Sequence, residues 1–269
     1  MVTGNLKVIA GKPKKVTGSI AHATEILICL SNDVHKVSDI ARQSNFNKST
    51  VHRVLKLLEQ SQLVVQDTIN RRYYLSLMIP KLASDTITNH KRLITCANAE
   101  MKRLANITEE TVVLDIMMGL KYLSLHEILS QHNLRVSQES KKSWPLYSDL
   151  YAGAPVKVLL SQLDENRLKM LMEIIDIAPV TERTVTDKNV LAAQLAEIRK
   201  QGYTVSSGER VQGTVCIAVP IYNYILPVGL SIAGPEIRLQ SKIKEVITEL
   251  KISSSRISSN LTDIFTERR

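Results

Sequence analysis

Between Lys48 and Gln60 (KSTVHRVLKLLEQ) the apolar residues fall at Val51, Val54, Leu55 and Leu58. At about 100° per residue that spacing gathers them on one face of a helix. Ser49, Arg53, Lys56 and Gln60 take the opposite face, with Lys48, Thr50 and His52 on the flanks near its start. A shorter helix precedes it, with Val37, Ile40 and Ala41 inward and Ser38 as its N-cap. The turn between them is Asn45-Phe46-Asn47: both Asn tolerate turn dihedrals, and Phe46 can pack beneath. Ser19 to Leu30 reads as a first helix, capped by Thr17 or Ser19, with Ile20, Ala23, Leu27 and Leu30 facing the core. Downstream, Leu63–Val65 and Arg72–Leu75 read as two strands around a polar loop from Gln66 to Arg71.

The remaining two-thirds alternates helices and strands. Leu82 to Arg92 predicts a linker helix, and Leu93 to Asn106 a second helix with Ile94, Ala97, Met101, Leu104 and Ala105 inward. Thr111–Met117 and Lys121–Leu125 flank Met118-Gly119-Leu120 as a hairpin, and Leu134–Ser137 predicts a further short strand. Helices follow at 156–163, 164–174 and 187–201, the last capped by Thr186 or Asp187 and ended by Gly202. Strands are expected at Tyr203–Ser207, Val215–Ile221 and Pro227–Ala233, then a closing helix from Lys242 to about Ile264. Strands meandering between helices predict an α+β architecture with an antiparallel sheet. The expected divisions are 18–77, a linker at 78–92, and 93–269.

Charge sharpens the first division. Residues 1–80 hold 11 Lys/Arg against 5 Asp/Glu, a net +6, which leaves +3 of the total +9 for the other 189 residues. A basic first third with two short helices, a turn, an amphipathic helix and a β-hairpin is a winged helix-turn-helix, whose second helix enters a DNA major groove. Arg53 is the expected base contact to guanine, with Ser49, Thr50 and His52 near it. Lys48, Lys56, Arg71 and Arg72 should grip phosphate, and Ser38 lies on the same side. Lys7, Lys12, Lys14 and Lys15 make residues 1–17 a basic arm that either touches DNA backbone or does nothing.

These residues carry a resemblance. Val37 to Leu77, centred on SDIARQSNFNKSTVHRVLKLLEQSQLV, resembles the DNA-binding domain of the isocitrate-lyase-regulator (IclR) family of bacterial transcription factors. Gln62 departs from the pattern, since the family often ends this helix with Gly. The segments YAGAPVKVLL, TERTVTD, RKQGYTVSSGERVQGTVCIAVPI and VGLSIAGP resemble the family's GAF-like effector-binding domain. Further departures are an apparent insertion at Ser148-Asp149-Leu150, Pro155 in place of a backbone donor, and a short Tyr222–Leu226 turn.

The resemblance implies a ligand-responsive regulator, a repressor, binding a palindrome-like operator in double-stranded DNA as a homodimer or homotetramer. It also implies a small organic acid or aromatic effector in a pocket on the sheet. Gly153 and Ala154 open a helix whose free N–H groups and dipole suit an anion, although the turn can equally be an ordinary tight one. By resemblance Ser206, Cys216, Ser231 and Ala233 line the same pocket, with Leu134 as an apolar wall. Cys216 also reads as a small buried hydrophobe. Ala233 replaces a hydrogen-bonding group of several relatives, which predicts a less polar ligand or a weaker carboxylate site.

Other chemistry has little support in the sequence. No G-x-S-x-G elbow, H-E-x-x-H pair or Gly-rich phosphate loop occurs. His126, Glu127 and His132 have no metal-ligand spacing, and the expectation is no metal and no cofactor. Cys29, Cys96 and Cys216 stand far apart, which predicts a reducing cytoplasm rather than a disulfide framework. No run of about 18 apolar residues predicts a membrane span. An enzyme acting on the bound metabolite and a protein-docking module stay open as alternatives for the C-terminal part.

Overall fold

The computed structural model describes residues 18–119, 121–137, 147–149 and 152–266. The expected basic arm (1–17), the cap Thr17, Leu120 of the hairpin turn, Leu150 of the insertion and Tyr151 lie outside them. The chain divides into two compact units, 1–86 and 87–269.

The first unit holds α1 (Ser19–Ser31), α2 (Val37–Ser44), α3 (Lys48–Gln60), β1 (Val64–Gln66), β2 (Tyr73–Leu75) and a short α4 (Met78–Leu82). Its core joins Ile26, Cys29 and Leu30 of α1 to Ile40 and Ala41 of α2 and to Val51, Val54, Leu55 and Leu58 of α3, with Val64 and Tyr73 from the hairpin. The buried face of α1 is rotated from expectation: Ile20 is 84% exposed, because Ile26 and Cys29 take the inward positions. Ser38 does not cap α2. The N-cap is Lys36, in extended backbone with no side-chain capping bond, and Ser38 sits two positions past it with its side chain exposed.

The start and end of α3 are set by two residues in left-handed backbone. Asn45 (φ 58°) closes α2, a conformation its short polar side chain tolerates. Gln62 (φ 59°) ends α3 where Gly would be unstrained. The Leu63 N–H donates to Leu58 O at 2.9 Å and the Gln62 N–H to Glu59 O at 2.9 Å, the bond pair of a Schellman motif. Leu63 packs against the core cluster that holds Leu58.

Helix α5, which from residue 87 onward belongs to the second unit, is one continuous helix, Ser84–Thr108, where two were expected. Arg92 and Leu93 have good helical propensity and no breaker separates them. Then come β3 (Thr111–Met118), β4 (Lys121–Ile128), β5 (Tyr147–Asp149), α6 (Ala154–Ser161), α7 (Glu165–Ile174), α8 (Lys188–Gln201), β6 (Thr204–Ser207), β7 (Thr214–Ile221), β8 (Val228–Pro235), a four-residue α9 (Glu236–Leu239) and α10 (Ile243–Thr266). The six strands form one antiparallel sheet in the order β5-β4-β3-β8-β7-β6. Residues 134–137 are not a strand. They run as irregular chain, tied down by Thr111 Oγ1 donating to Val136 O at 2.7 Å and Arg238 Nη2 to Leu134 O at 2.9 Å.

Helices cover both faces of the sheet. On one, Val112, Leu114 and Ile116 of β3 and Val215, Ile217, Val219 and Ile221 of β7 pack on α5 and α10. The alternate positions, among them Met117, Cys216 and Ala218, face α6, α7 and α8. Gly229 lets α6 approach β8 closely: a Cβ there would already touch Val158 at 3.5 Å.

Candidate functional site

In the first unit the polar side of α3 is open to solvent. Lys48, Ser49, His52, Arg53 and Lys56 are exposed and Thr50 is half-buried. Lys56 is not free: its ammonium donates to Glu59 Oε2 at 2.7 Å, and this hydrogen bond raises its pKa. Arg71 and Arg72 are exposed at the end of the loop between β1 and β2. That loop is closed by its own side chains, which sequence reasoning missed. Asp67 accepts from the Ile69 and Asn70 N–H groups at 2.7 and 3.2 Å, and Asn70 Oδ1 accepts from the Arg72 N–H at 2.8 Å. The short polar residues in DTIN were the available signal, since Asp and Asn capture nearby backbone donors.

In the second unit a cavity of about 160 Å³ opens on the α6 side of the sheet. Cross-strand register builds its floor. Ser206 of β6, Cys216 of β7 and Ala233 of β8 stand opposite one another in one row. In the next row Ala218, Ser231 and Val113 align, and Val113 pairs Glu127 of β4. The β3–β4 register shifts between Leu114 and Asp115, a bulge of the kind that re-aims a side chain. Gly153, Ser206, Cys216, Ser231 and Ala233 all line the cavity. Leu134 does not: it is 68% exposed, and Val136 and Ser137 form that wall, because the segment is not a strand with an inward face.

The helix start is already occupied. The Gly153 N–H donates to Glu209 Oε2 at 3.3 Å, and the Ala154 N–H to Ser206 Oγ at 3.0 Å. The same Glu209 takes the ammonium of Lys157 at 2.6 Å. Ala154 itself is fully buried and does not line the cavity. The donors expected to be free for a ligand anion are therefore satisfied by the chain's own groups. Gly153 has φ 93°, a conformation that favours glycine, and a Cβ there would sit 4.0 Å from Ser206 Oγ.

Besides Glu209, two charged cavity residues, Asp115 and Arg210, were not read from the sequence. Asp115, 1% exposed, accepts from Ser124 Oγ at 2.7 Å and from Ser231 Oγ at 3.4 Å. Burial pushes its carboxyl up to about 6 despite the two serines and the nearby Arg210. A lone charge inside the apolar run TVVLDIMM was the signal for it. Arg210 donates to Tyr122 Oη, and its guanidinium carbon lies 5.4 Å from the centre of that ring. Burial and the neighbouring Asp115 push the Cys216 thiol up to about 12, so it is a neutral S–H and not a nucleophile. His126 turns to Asn98 and His132 to Glu109, so the two histidines do not converge. Among the described residues no helix is long and apolar enough to cross a membrane.

The IclR helix-turn-helix domain model matches residues 19–68, and the model of the bacterial transcriptional regulator IclR C-terminal domain matches residues 85–259. The chain belongs to the IclR family. It is similar to the HTH-type transcriptional regulator KdgR of Escherichia coli K12, with 29% identity across 84% of this chain and 85% of that protein. It is also similar to the HTH-type transcriptional repressor AllR of the same strain, with 29% identity across 76% and 74%. Among solved structures, the Thermotoga maritima IclR matches with a TM-score of 0.65 and 27% identity over 90% of this chain and 98% of that one. An IclR homologue from Microbacterium hydrocarbonoxydans, complexed with 4-hydroxybenzoate, shares the fold: TM-score 0.70 and 22% identity over 91% and 100%. As an IclR-family member the chain is a DNA-binding transcriptional regulator, not an enzyme.

Proposed function

We propose that this regulator is a repressor that binds a two-fold-symmetric operator as a homodimer or homotetramer and responds to a small organic acid or aromatic effector in the sheet cavity. The observation that carries the reading is the exposed cationic face of α3 on a helix whose other face is core. On it Arg53 contacts a guanine edge, with Ser49, Thr50 and His52 beside it. Lys48, Lys56, Arg71 and Arg72 hold phosphates, joined by Ser38 at the first turn of α2. Support for repression is the likeness to the transcriptional repressor AllR, and support for an effector is the 4-hydroxybenzoate in the complex of the Microbacterium homologue. In the cavity the effector meets Gly153, Ser206, Cys216, Ser231 and Ala233. Such a protein works in the cytoplasm.

Fluorescence anisotropy with the DNA upstream of its own gene tests the reading. Arg53→Ala is expected to cost about 1–3 kcal/mol on that DNA and to relax preference at one position per half-site. Equal losses on operator and random DNA overturn the Arg53 assignment, and no binding to any duplex overturns the regulator reading.

A further inference from the structure

The cavity holds two charged groups whose hydrogen-bonding capacity is not used up. Asp115 is buried, yet its Oδ2 receives only the 3.4 Å contact from Ser231, while Ser124 serves Oδ1. A carboxylate offers about four acceptor positions, and a buried oxygen without a close donor costs free energy until one arrives. Arg210 has five N–H donors and spends one on Tyr122 Oη. Among the described residues no carboxylate forms an ion pair with its guanidinium. Among the described residues, the remaining charges at the cavity are Glu127, in its wall, and Glu209, which is matched by Lys157.

Glu209 decides where a ligand anion goes. With its carboxylate on the Gly153 N–H and the Ser206 hydroxyl on the Ala154 N–H, the start of α6 has no open donor at those two positions. A second carboxylate there would also lie against Glu209 itself. Among the described residues, the cation left to receive it is Arg210, which lines the same cavity.

We propose that the cavity selects an organic hydroxy acid, its carboxylate held by the guanidinium of Arg210 and a hydroxyl donating to the carboxylate of Asp115. The ligand's donor is a hydroxyl rather than an ammonium, because a cation beside Asp115 would face Arg210. Ser231, Ser206 and Thr214 supply further polar contacts to a hydroxylated chain or ring. With its carboxyl near 6, Asp115 is ionised and acceptor-only at pH 7.5. The inference rests on the reading of this cavity as the effector site, and it adds the class of molecule and the two residues that choose it.

The test is calorimetric titration of the full chain at pH 7.5 with matched pairs: glycerate against propionate and 4-hydroxybenzoate against benzoate, with glycerol and phenol as uncharged counterparts. At least one hydroxy acid is expected to bind about tenfold or more tightly than both its deoxygenated and its uncharged partner. Arg210→Gln removes the preference for acid over uncharged partner, and Arg210→Lys keeps part of it. Asp115→Asn removes the preference for the hydroxyl. An unchanged circular-dichroism spectrum and a cooperative urea transition in each variant show that the cavity-bearing unit is folded. Equal binding of hydroxylated and plain acids overturns the proposal, as does an acid preference that survives Arg210→Gln, or a panel that fails at millimolar concentration. In the last case, binding of an uncharged apolar probe such as toluene leaves the cavity as the effector site and removes only the hydroxy-acid class. Loss of DNA binding by the unmodified protein is a separate failure, of the regulator reading.

Discussion

The carboxylate of Glu209 grips the ammonium of Lys157 at 2.6 Å, with the two side chains only 10% and 2% exposed. Both charges have left water, so their worth shows when one is removed. Glu209→Gln leaves a buried ammonium without a counter-charge, while its amide oxygen can still accept from Gly153. The expected loss is about 3–5 kcal/mol of unfolding free energy. Lys157→Met combined with Glu209→Gln is expected to be more stable than Glu209→Gln alone. Urea midpoints of the two singles and the double measure the coupling.

On α3 the relevant pair is exposed and cheap to break. Lys56→Ala is expected to weaken binding to all duplex sequences alike and to lower the salt slope by about 1. Glu59→Gln should act in the opposite direction, since it frees the ammonium that Glu59 now holds at 2.7 Å. Anisotropy titrations across a salt series measure both.

Gln62 stands at the end of α3 where the family often has Gly, and the backbone explains that preference. With φ 59° the position strains any residue bearing a Cβ. Gln62→Gly is expected to stabilise the protein by about 0.5–1 kcal/mol, less whatever the freer unfolded chain takes back. A rise in Tm checks it.

Asp115 gives the protein a pH signature. Its folded carboxyl is raised from 3.8 to about 6, so the folded state holds a proton that the unfolded state has released between those values. Stability therefore falls as pH rises through 6 and is regained as pH drops toward 4. Asp115→Asn removes the penalty, worth up to about 3 kcal/mol above pH 6. The asparagine can still accept from Ser124. Urea unfolding at pH 7.5 and pH 5 is expected to show the variant's advantage shrinking at the lower pH.

What the sequence disclosed follows the range of the interactions involved. The two faces of α3 and the Gly202 stop are set within a few residues and were legible, and of the two caps open for α8, Thr186 or Asp187, it is Asp187 that accepts from the Asn189 and Val190 N–H groups. The α2 cap failed because Ser38 lies two positions past the cap, Lys36, a displacement that periodicity does not resolve. Leu134 failed because two apolar positions in LRVS alternate as a strand would, yet among the described residues no neighbouring strand takes up the segment. At the cavity, Gly153 was named from the start of its helix, while Ser206, Cys216, Ser231 and Ala233 were named only through the family resemblance, and strand register explains why those four share one floor. The Gly153–Glu209 and Asp115–Ser231 contacts join residues 56 and 116 positions apart, which no local pattern encodes.

The loop between β1 and β2 keeps its shape without a partner. Asp67 and Asn70 fasten its backbone before anything docks, and Arg71 and Arg72 project from a base that is already set. Whatever the loop meets, little chain freedom is surrendered there on contact. The affinity cost of ordering falls instead on the long arginine side chains, so loosening the loop at Asp67 would weaken binding without touching a single cation.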